Sequence, residues 1–403
     1  MVTQLLARKA GLLVAALTGL LLLAGCSSGS SVALTGASWP GMTSADDTLY
    51  VAYSSFVYAV DPATGNLEWR FPAEGNRNQT FFATPAVMDG QVIVADYTDS
   101  MFALDQATGE ATWPAPFQSE SSRFIGGATV DGDMLYAGVV DGTLYALDQD
   151  GRIVWSFKAG RDIWGHPAVD ETSVYFTSLD RHIYAVDKGT GELEWRWPDE
   201  DVVADDGVVG AMISTPLVLN GVLYFSSLNN LLYAFDIETQ SVLWTHEFSN
   251  WIWSSPQYVS ESDVLVGGDL DGRIFALDPL TGGEKWNYQA AGPVVGEVAV
   301  DTYGDTPAVF AASGFTTSNE TNLVVLNLED GSLLDSASVQ AEFQTRFLFI
   351  PTNSSIRPVP LYASPVIAGD IIVVGSHQGN VLLYAYEKDT LRPAWQFDPI
   401  AAQ

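Results

Sequence analysis

The sequence contains very few cysteines and few basic residues. Its 403 residues include one cysteine, Cys26, and 17 lysines and arginines against 49 acidic residues, which gives a formal net charge of −32. A single cysteine excludes a disulfide within the chain. The shortage of positive charge argues against a general basic face that would bind nucleic acid or anionic lipid headgroups. The acidic surface instead favours solubility, tolerance of salt or a basic partner.

Charged residues of both signs are also scarce. They make up 16% of the chain, whereas 47% of the residues are apolar and 12% are aromatic. This composition excludes an acidic disordered tail and supplies enough apolar side chains for the core of one large domain. Helical periodicity is missing from the repeating part of the chain, where apolar residues alternate with polar ones as they do in strands.

The N-terminus has the organisation of a bacterial lipoprotein precursor. Arg8 and Lys9 precede an apolar run, Gly11–Leu23, which is too short for a comfortable membrane span. The run ends in Leu-Ala-Gly-Cys at Leu23–Cys26, which resembles the lipobox. We predict a signal peptide at 1–25, lipid attachment (palmitate) at Cys26 and a flexible tether at 26–37. An ordinary secretory signal with an incidental cysteine is the alternative.

A short pattern recurs along the rest of the chain. Alternating apolar residues lead to an acidic anchor, a turn follows, and a tryptophan comes seven or eight residues after the anchor, as in Leu144–Trp155. The six clear copies lie 39 to 49 residues apart, a period that signals a repeat architecture. The anchors are Asp61, Asp105, Asp148, Asp187, Asp236 and Asp278, and their tryptophans are Trp69, Trp113, Trp155, Trp195, Trp244 and Trp286. A degenerate copy has Glu387 and Trp395, and another has Asn327 and no tryptophan.

Each part of the repeat has a physical role. The alternating residues predict a strand, and the aspartate can accept hydrogen bonds from the backbone that follows it. Glycines such as Gly65 and Gly109 then provide a residue that tolerates positive φ. A unit of four strands cannot bury a tryptophan by itself, so we expect each ring to pack on the neighbouring unit.

The repeats predict an all-β fold, an eight-bladed β-propeller of four-stranded antiparallel blades. The predicted blades occupy about 38–72, 80–114, 124–158, 163–198, 211–248, 252–289, 294–338 and 361–398. They form one domain, 38–398, followed by a short tail, 399–403. An open solenoid, the alternative, would require capping repeats at its ends.

The repeat resembles that of the PQQ-type, or quinoprotein-like, propellers. In one branch of that family, the PQQ-dependent dehydrogenases, the resemblance implies a bound quinone, Ca²⁺ and a catalytic aspartate. This chain has no pair of cysteines and no evident cluster of basic residues for the quinone carboxylates, so we predict no cofactor, no metal and no catalytic residue. The branch similar to BamB, the lipoproteins of outer-membrane β-barrel assembly, fits the lipobox and the length better.

The resemblance implies an extracytoplasmic, membrane-anchored scaffold that binds envelope or membrane proteins, is monomeric and binds no nucleic acid. The anchor would hold it on the periplasmic side of an outer membrane or on the outer face of the cell membrane. A quinoprotein dehydrogenase and a propeller that binds carbohydrate or peptide at the cell surface are the alternatives. The four histidines lack metal-ligand spacing and take repeat places that Ser or Thr fills elsewhere, so we interpret them as structural.

The predicted partner surface comprises Trp251, Trp253, Phe347 and Phe349. These residues lie in two segments that depart from the repeat, the loop around Phe248–Trp253 and the insertion 340–362. Aromatic side chains of this kind are enriched at protein interfaces. The alternatives are that the tryptophans line the inner edge of the blades and that the insertion folds over its own blade. An acidic loop, Asp199–Asp206, could steer a basic partner.

We predict that Cys26→Ser releases the protein from membranes, because a chain without acyl groups has no stable anchor. Incorporation of a fatty-acid analogue should disappear together with membrane association, and both can be followed after metabolic labelling and fractionation. Ser27→Ala is a suitable control and should leave both unchanged. Labelling that persists in the Cys26 variant would rule out this anchor.

Overall fold

The computed structural model describes residues 39–401 except residue 77 and residues 121–122, 200–208, 315–320 and 348–349. In these ranges the chain forms strands and turns and contains no helix. The strands make eight sheets of four antiparallel strands, so the prediction of an all-β, eight-bladed propeller is confirmed. A separate two-stranded hairpin follows the seventh blade and precedes the eighth in the chain order.

Each blade consists of four strands that are consecutive in the chain. The strands of blades 1 to 4 are β1 (Gly41–Ala45), β2 (Thr48–Tyr53), β3 (Phe56–Val60) and β4 (Leu67–Phe71); β5 (Ala86–Met88), β6 (Gln91–Ala95), β7 (Ser100–Asp105) and β8 (Phe117–Gln118); β9 (Thr129–Asp131), β10 (Met134–Gly138), β11 (Thr143–Asp148) and β12 (Ile153–Lys158); and β13 (Ala168–Val169), β14 (Ser173–Thr177), β15 (Ile183–Asp187) and β16 (Leu193–Trp197).

The second half of the chain repeats this order. The strands of blades 5 to 7 are β17 (Leu217–Leu219), β18 (Val222–Ser227), β19 (Leu231–Asp236) and β20 (Ser241–Glu247); β21 (Gln257–Val259), β22 (Val264–Gly268), β23 (Arg273–Leu277) and β24 (Glu284–Gln289); and β25 (Ala299–Tyr303), β26 (Thr306–Ala312), β27 (Leu323–Asn327) and β28 (Leu333–Ala337). The hairpin is β29 (Gln340–Phe347) and β30 (Ile350–Pro358), and blade 8 is β31 (Val366–Ala368), β32 (Ile371–Gly375), β33 (Leu383–Glu387) and β34 (Pro393–Phe397).

The second and third strands of each blade carry the core. In blade 5, β18 and β19 pair residue by residue from Val222 opposite Asp236 to Ser227 opposite Leu231, and most of their side chains are buried. Both faces of these strands are covered by neighbouring blades, which explains why their sequences are almost continuously apolar. The fourth strand is the outer edge of the blade and is largely exposed, as in β20.

Adjacent blades are joined by a tryptophan that docks on the next anchor turn. The indole Nε1 donates a hydrogen bond to the carbonyl oxygen of the residue just after the next anchor, for example from Trp113 to Gln149 at 2.8 Å. The same bond runs from Trp69 to Gln106, Trp155 to Lys188, Trp244 to Pro279, Trp286 to Leu328 and Trp395 to Pro62, at 2.8–3.0 Å.

The glycine of the anchor turn is required by this contact. Gly109 has φ +70° and lies beneath the Trp69 ring, where an added Cβ would be 2.5 Å from a ring carbon. Glycine therefore supplies both the left-handed backbone and the space that the ring needs. Anchor aspartates fix the turn: Asp187 accepts bonds from the backbone N–H groups of Gly189 and Thr190 and from the Thr190 hydroxyl.

Two blade junctions depart from this arrangement. Between blades 4 and 5 the glycine place is taken by Gln240, with φ +51°, and Trp195 is only half-buried against Tyr175 and Phe235. Between blades 7 and 8 the tryptophan place is taken by Asp335, which accepts a bond from the Tyr303 hydroxyl. The glycine place there is Leu391, so the ring and the glycine are replaced together.

The ring closes from blade 8 to blade 1 without exchange of strands. Trp395 docks on the first anchor turn, with its ring over Gly65, and Val373 of blade 8 shares an apolar cluster with Leu49 and Val51 of blade 1. Because every blade is built from consecutive strands, this closure depends on side-chain packing and the indole hydrogen bond.

Two details differ from the sequence predictions. The outer strand of blade 2 is Phe117–Gln118 and does not contain Trp113, because Pro114 and Pro116 interrupt the edge strand. The insertion expected as a loop contains the hairpin β29–β30. Its first strand begins beside the blade core, where Ala341 is buried and Phe343 packs.

The junctions predict unequal effects of tryptophan truncation. Trp113→Ala should lower the free energy of unfolding by ~3–5 kcal/mol, through lost transfer energy and the cavity that remains. Trp195→Ala should cost less, because this ring is half-buried and its indole has no carbonyl partner among the described residues. Denaturant unfolding of the two variants side by side measures the difference. Equal losses, or a loss below about 1 kcal/mol for Trp113→Ala, would contradict the docking role.

Candidate functional site: the loop rim and channel mouth

The loops between blades and the turns between second and third strands lie on one face of the ring, which we call the loop rim. In an antiparallel blade these connections leave from the same end of the strands, and the anchor turns leave from the other end. The structure links them directly, since the backbone N–H of Leu270, in the turn of blade 6, donates to the carbonyl of Trp251, in the loop before that blade. The loop rim therefore carries the segments that depart from the repeat.

The loop that precedes blade 6 is held rigidly on this rim. Asn250 donates from Nδ2 to the Asp271 carboxylate at 2.8 Å and accepts the backbone N–H of Trp251 at 2.8 Å. Phe248 and Ile252 are buried on either side of this segment. The Trp251 side chain remains 40% exposed. A large aromatic side chain is thus presented to solvent on a fixed backbone.

The pKa values of two carboxyl groups beside Trp251, those of Asp269 and Asp271, are shifted in opposite directions. Asp269 is fully buried and accepts the backbone N–H groups of Asp271 and Arg273, and burial raises its pKa. Asp271 is exposed, and the hydrogen bond from Asn250 lowers its pKa. The surface next to Trp251 therefore carries the negative charge of Asp271 at neutral pH.

The first strands of neighbouring blades contact one another, which places them around the central channel. The residues just before these strands form a ring at its mouth, which we call the collar. The collar consists of Trp39, Phe82, Ile125, Trp164, Ile213, Trp253, Val295 and Tyr362. Trp253 of blade 6 meets Trp39 of blade 1 edge-on, with ring centroids 6.3 Å apart, and Trp39 lies 6.0 Å from Tyr362 of blade 8. Aromatic rings from blades 6 and 1, which are not neighbours, thus touch at the mouth.

Two residues further along each blade lies a ring of mostly polar residues that are hydrogen-bonded from blade to blade. Nε2 of His166 accepts the backbone N–H of Gly127 (3.0 Å), and the backbone N–H of His166 donates to the Thr215 hydroxyl (2.9 Å). On the other side of the ring, the backbone N–H of Glu297 donates to the Ser364 hydroxyl. Between the collar and this ring the residues are small: a Cβ on Gly126 or Gly296 would lie within 2.6 Å of the next blade's backbone.

The polar ring contains two titratable side chains, in the half-buried residues His166 and Glu297. Burial lowers the pKa of His166 to about 4 and raises the pKa of Glu297. Because Nε2 of His166 accepts a backbone N–H, the neutral imidazole with its proton on Nδ1 fits the bond.

Within the described ranges, no group of three or more His, Cys, Asp or Glu side chains could hold a metal ion. The described part of the chain also contains no helix that could span a bilayer.

The structure separates the residues predicted for the partner surface. Trp251 is exposed on the loop rim, whereas Trp253 belongs to the collar and lines the inner edge of the ring. Phe347 ends β29 and its side chain is not described, and Phe349 and Cys26 lie outside the described residues, as does most of the acidic loop (200–208).

Sequence reasoning missed the collar. Trp39, Trp164 and Tyr362 occupy the same repeat place as Trp253, shortly before the first strand of each blade. Comparison of that one place across the eight repeats would have found them. The contact between Trp39 and Trp253, which are 214 residues apart in the chain, follows only from ring closure.

Comparisons with known proteins point to one family. The family model described as "Outer membrane protein assembly factor BamB" matches residues 27–126, 118–211 and 208–402. Outer membrane protein assembly factor BamB of Yersinia pestis is 22% identical over 324 residues, covering 67% of this chain and 73% of that protein. Quinohemoprotein alcohol dehydrogenase ADH-IIG of Pseudomonas putida is 28% identical over 211 residues, covering 45% of this chain and 29% of that protein. The crystal structure of BamB from Moraxella catarrhalis superposes with a TM-score of 0.60 at 20% identity, over 83% of this chain and 92% of that one, and shows the same fold.

The neutral state of His166 predicts a pH dependence of stability. The folded-state pKa, about 4, lies below the ordinary value of 6.5, so the unfolded chain binds the proton first as the pH falls. The stability that neutral His166 maintains is present above pH 6.5 and is lost between pH 6.5 and 4, by up to about 3 kcal/mol. His166→Gln keeps an acceptor but does not titrate. Unfolding free energies at pH 7 and pH 4.5 should therefore differ less in His166→Gln than in the unmodified protein. Identical pH slopes would show that His166 does not titrate with folding.

Proposed function

Because the chain belongs to the family of outer membrane protein assembly factor BamB, we propose that it is a non-enzymatic scaffold of outer-membrane protein assembly. The observation that carries the proposal is the extent of the family match, which begins at residue 27 and runs through all eight blades. A closed ring with a rigid loop rim is suited to this role, since it presents fixed surfaces to several proteins and needs no moving part.

We further propose that acyl chains on Cys26 hold the scaffold at the periplasmic face of the outer membrane. The lipobox-like residues Leu23–Cys26 support the anchor, and about twelve residues then separate it from the first described residue, Trp39. An anchor at this position would keep the protein near membrane-embedded partners. A monomer with a single anchor is sufficient for this arrangement.

The partner surface is centred on Trp251. The side chain is 40% exposed, its backbone is fixed from both sides, and Asp271 next to it is charged. Aromatic anchors of this type contribute much of the energy of protein interfaces, and a charged group at the rim directs orientation and association rate. Trp253 packs on Trp39 in the collar. The other two residues of the predicted partner surface stay predictions, since Phe349 lies outside the described residues and the side chain of Phe347 is not described. The formal charge of −32 favours a partner with a basic face.

The alternative from another class is a quinoprotein dehydrogenase. The match to the quinohemoprotein alcohol dehydrogenase supports it, but it spans only 29% of that protein, compared with 73% of the BamB of Yersinia pestis. The mouth of the channel favours the scaffold, because Trp39, Trp253 and Tyr362 pack together where a ligand would enter from the loop rim. The third function that the sequence allows is that of a propeller that binds carbohydrate or peptide at the cell surface. No particular observation favours this function.

The proposal predicts that Trp251→Ser weakens association with membrane partners. Loss of one aromatic anchor should reduce the amount of partner that co-purifies from detergent-solubilised membranes at least tenfold. The melting temperature should change by less than about 2 °C, because the side chain is exposed. Quantitative mass spectrometry after mild cross-linking measures the first effect and calorimetry the second.

Leu280→Ser provides the matched control. Leu280 is an apolar side chain that is more exposed than Trp251, but it lies in an anchor turn on the opposite face. Its replacement should leave co-purification unchanged. Partner recovery that is unaffected by Trp251→Ser, or an unfolded Trp251 variant, would show that this loop is structural.

A further inference from the structure

The turn that supports the Trp251 loop contains a buried carboxyl group with one unbonded oxygen. Asp269 lies at the start of the turn between β22 and β23 and is fully buried. Its Oδ1 accepts the backbone N–H groups of Asp271 and Arg273, both at 2.9 Å. Its Oδ2 is buried and has no hydrogen-bond partner among the described residues. A buried polar atom without a partner is uncommon in a folded protein and requires a physical explanation.

The same place in blade 2 shows which contact is missing. Asp96 begins the corresponding turn, and its Oδ1 likewise accepts backbone N–H groups of that turn. Its Oδ2 accepts a hydrogen bond at 3.3 Å from Nε2 of Gln79, which lies in the loop before blade 2. The described residues of the loop before blade 6 supply no such donor to Asp269. Blade 6 therefore has the buried carboxyl group without the side chain that balances it in blade 2.

The charge of an ionised Asp269 is poorly compensated. Burial raises the pKa of Asp269, and the charges of Asp271 and Arg273 in the same turn have smaller and opposite effects. The Arg273 guanidinium pairs with Glu284 on the outer strand of the blade. The segments hydrogen-bonded to this part of blade 6, 249–255 before blade 6 and 290–294 before blade 7, contain no charged residue. In the described part of the chain, an ionised Asp269 is therefore compensated by two backbone N–H groups and partly by Arg273.

The turn that Asp269 begins also holds Trp251 in place. The backbone N–H of Leu270 donates to the carbonyl of Trp251 at 3.0 Å, and Asn250 donates to the Asp271 carboxylate. An ionised carboxyl group with an unbonded oxygen costs far more to bury than a neutral one. Water can reach that oxygen only if the turn and the loop separate, which opens the bond from Leu270 to Trp251. The charge state of Asp269 and the position of Trp251 are therefore coupled.

We propose that Asp269 is the positioning residue of the Trp251 surface and holds the loop before blade 6 more firmly when it is neutral than when it is ionised. This inference rests on the proposed function, because Trp251 is the centre of the proposed partner surface. The loop keeps its position at neutral pH but separates from the turn more often than in acid. Trp251 can then adjust to the shape of a partner before the complex fixes it.

The direction of the pH effect follows from the burial of Asp269. The closed turn binds the carboxyl proton more tightly than an open, hydrated turn, because burial raises the pKa in the closed state. Closure is therefore most favourable below the ordinary carboxyl pKa and becomes less favourable as the pH rises through the raised pKa of Asp269.

The test uses the purified full chain without a partner and measures hydrogen exchange of the Leu270 amide by mass spectrometry with residue-level fragmentation. After correction for the intrinsic exchange rate, protection of this amide should fall about threefold or more between pH 4.5 and pH 8. The ¹⁹F NMR signal of 5-fluorotryptophan at Trp251, assigned by its loss in Trp251→Phe, should shift over the same range. Asp269→Asn cannot ionise and should keep the protection at its low-pH value throughout.

Asp269→Ser is a second variant that copies other blades of the same chain. Ser178 and Ser376 occupy this place in blades 4 and 8, and each hydroxyl accepts the backbone N–H two residues later, as Oδ1 of Asp269 does. The serine variant therefore keeps a native turn contact and removes the titratable group. It should also show protection of the Leu270 amide that does not depend on pH.

Asp96→Asn is the matched control, since it makes the same change in blade 2, and it should leave the pH profile of the Leu270 amide unchanged. Asp271→Asn should retain the pH dependence. A flat profile in the unmodified protein, or a profile that persists in both Asp269 variants, would overturn the inference. The exchange measurement needs no partner, whereas Trp251→Ser tests partner recovery, so failure of this inference and failure of the scaffold proposal are distinguishable.

Discussion

The docking of one tryptophan on the next blade's anchor turn is the interaction on which the whole ring depends. Each indole contributes a large apolar surface and one hydrogen bond to a junction between two sheets that could not bury their faces separately. The contact requires a glycine directly under the ring, and an acidic residue holds the anchor turn in place. Ring closure uses the same contact, from Trp395 to the turn of Asp61, because no strand is shared between the ends of the chain.

The same dependence explains the irregular junctions. Where Gln240 replaces the glycine, the Trp195 ring packs on Phe235, and its indole has no carbonyl partner among the described residues. Where Asp335 replaces the tryptophan, the glycine is replaced too, and the junction between blades 7 and 8 is partly polar, with Lys388 paired to Asp301 at 3.1 Å. At the junction between blades 7 and 8, the tryptophan and the glycine are thus absent together, since without the ring there is no steric reason for a glycine.

Near the channel axis, residue size is limited by the short distance between the backbones of neighbouring blades rather than by tryptophan docking. The first strands of neighbouring blades approach until a Cβ on Gly126 or Gly296 would collide with backbone, so small residues occupy this level. The larger collar residues lie just outside this level, and Trp39, Trp253 and Tyr362 meet across the mouth. Function is therefore expected on the loop rim, where loops can vary without disturbing the contacts between blades.

The number of blades, the four-strand repeat and the docking residues could be predicted from the sequence, because they depend on a local pattern that repeats along the chain. It also indicated Trp251, since a loop that departs from a repeat is visible without a structure. Only the tertiary structure separated Trp251 from Trp253, showed that Trp39 and Trp253 touch, and placed His166 and Glu297 in one ring around the channel. These features depend on which residues closure of the ring brings together and which it leaves exposed, and such long-range proximity is not encoded in the period of the repeat.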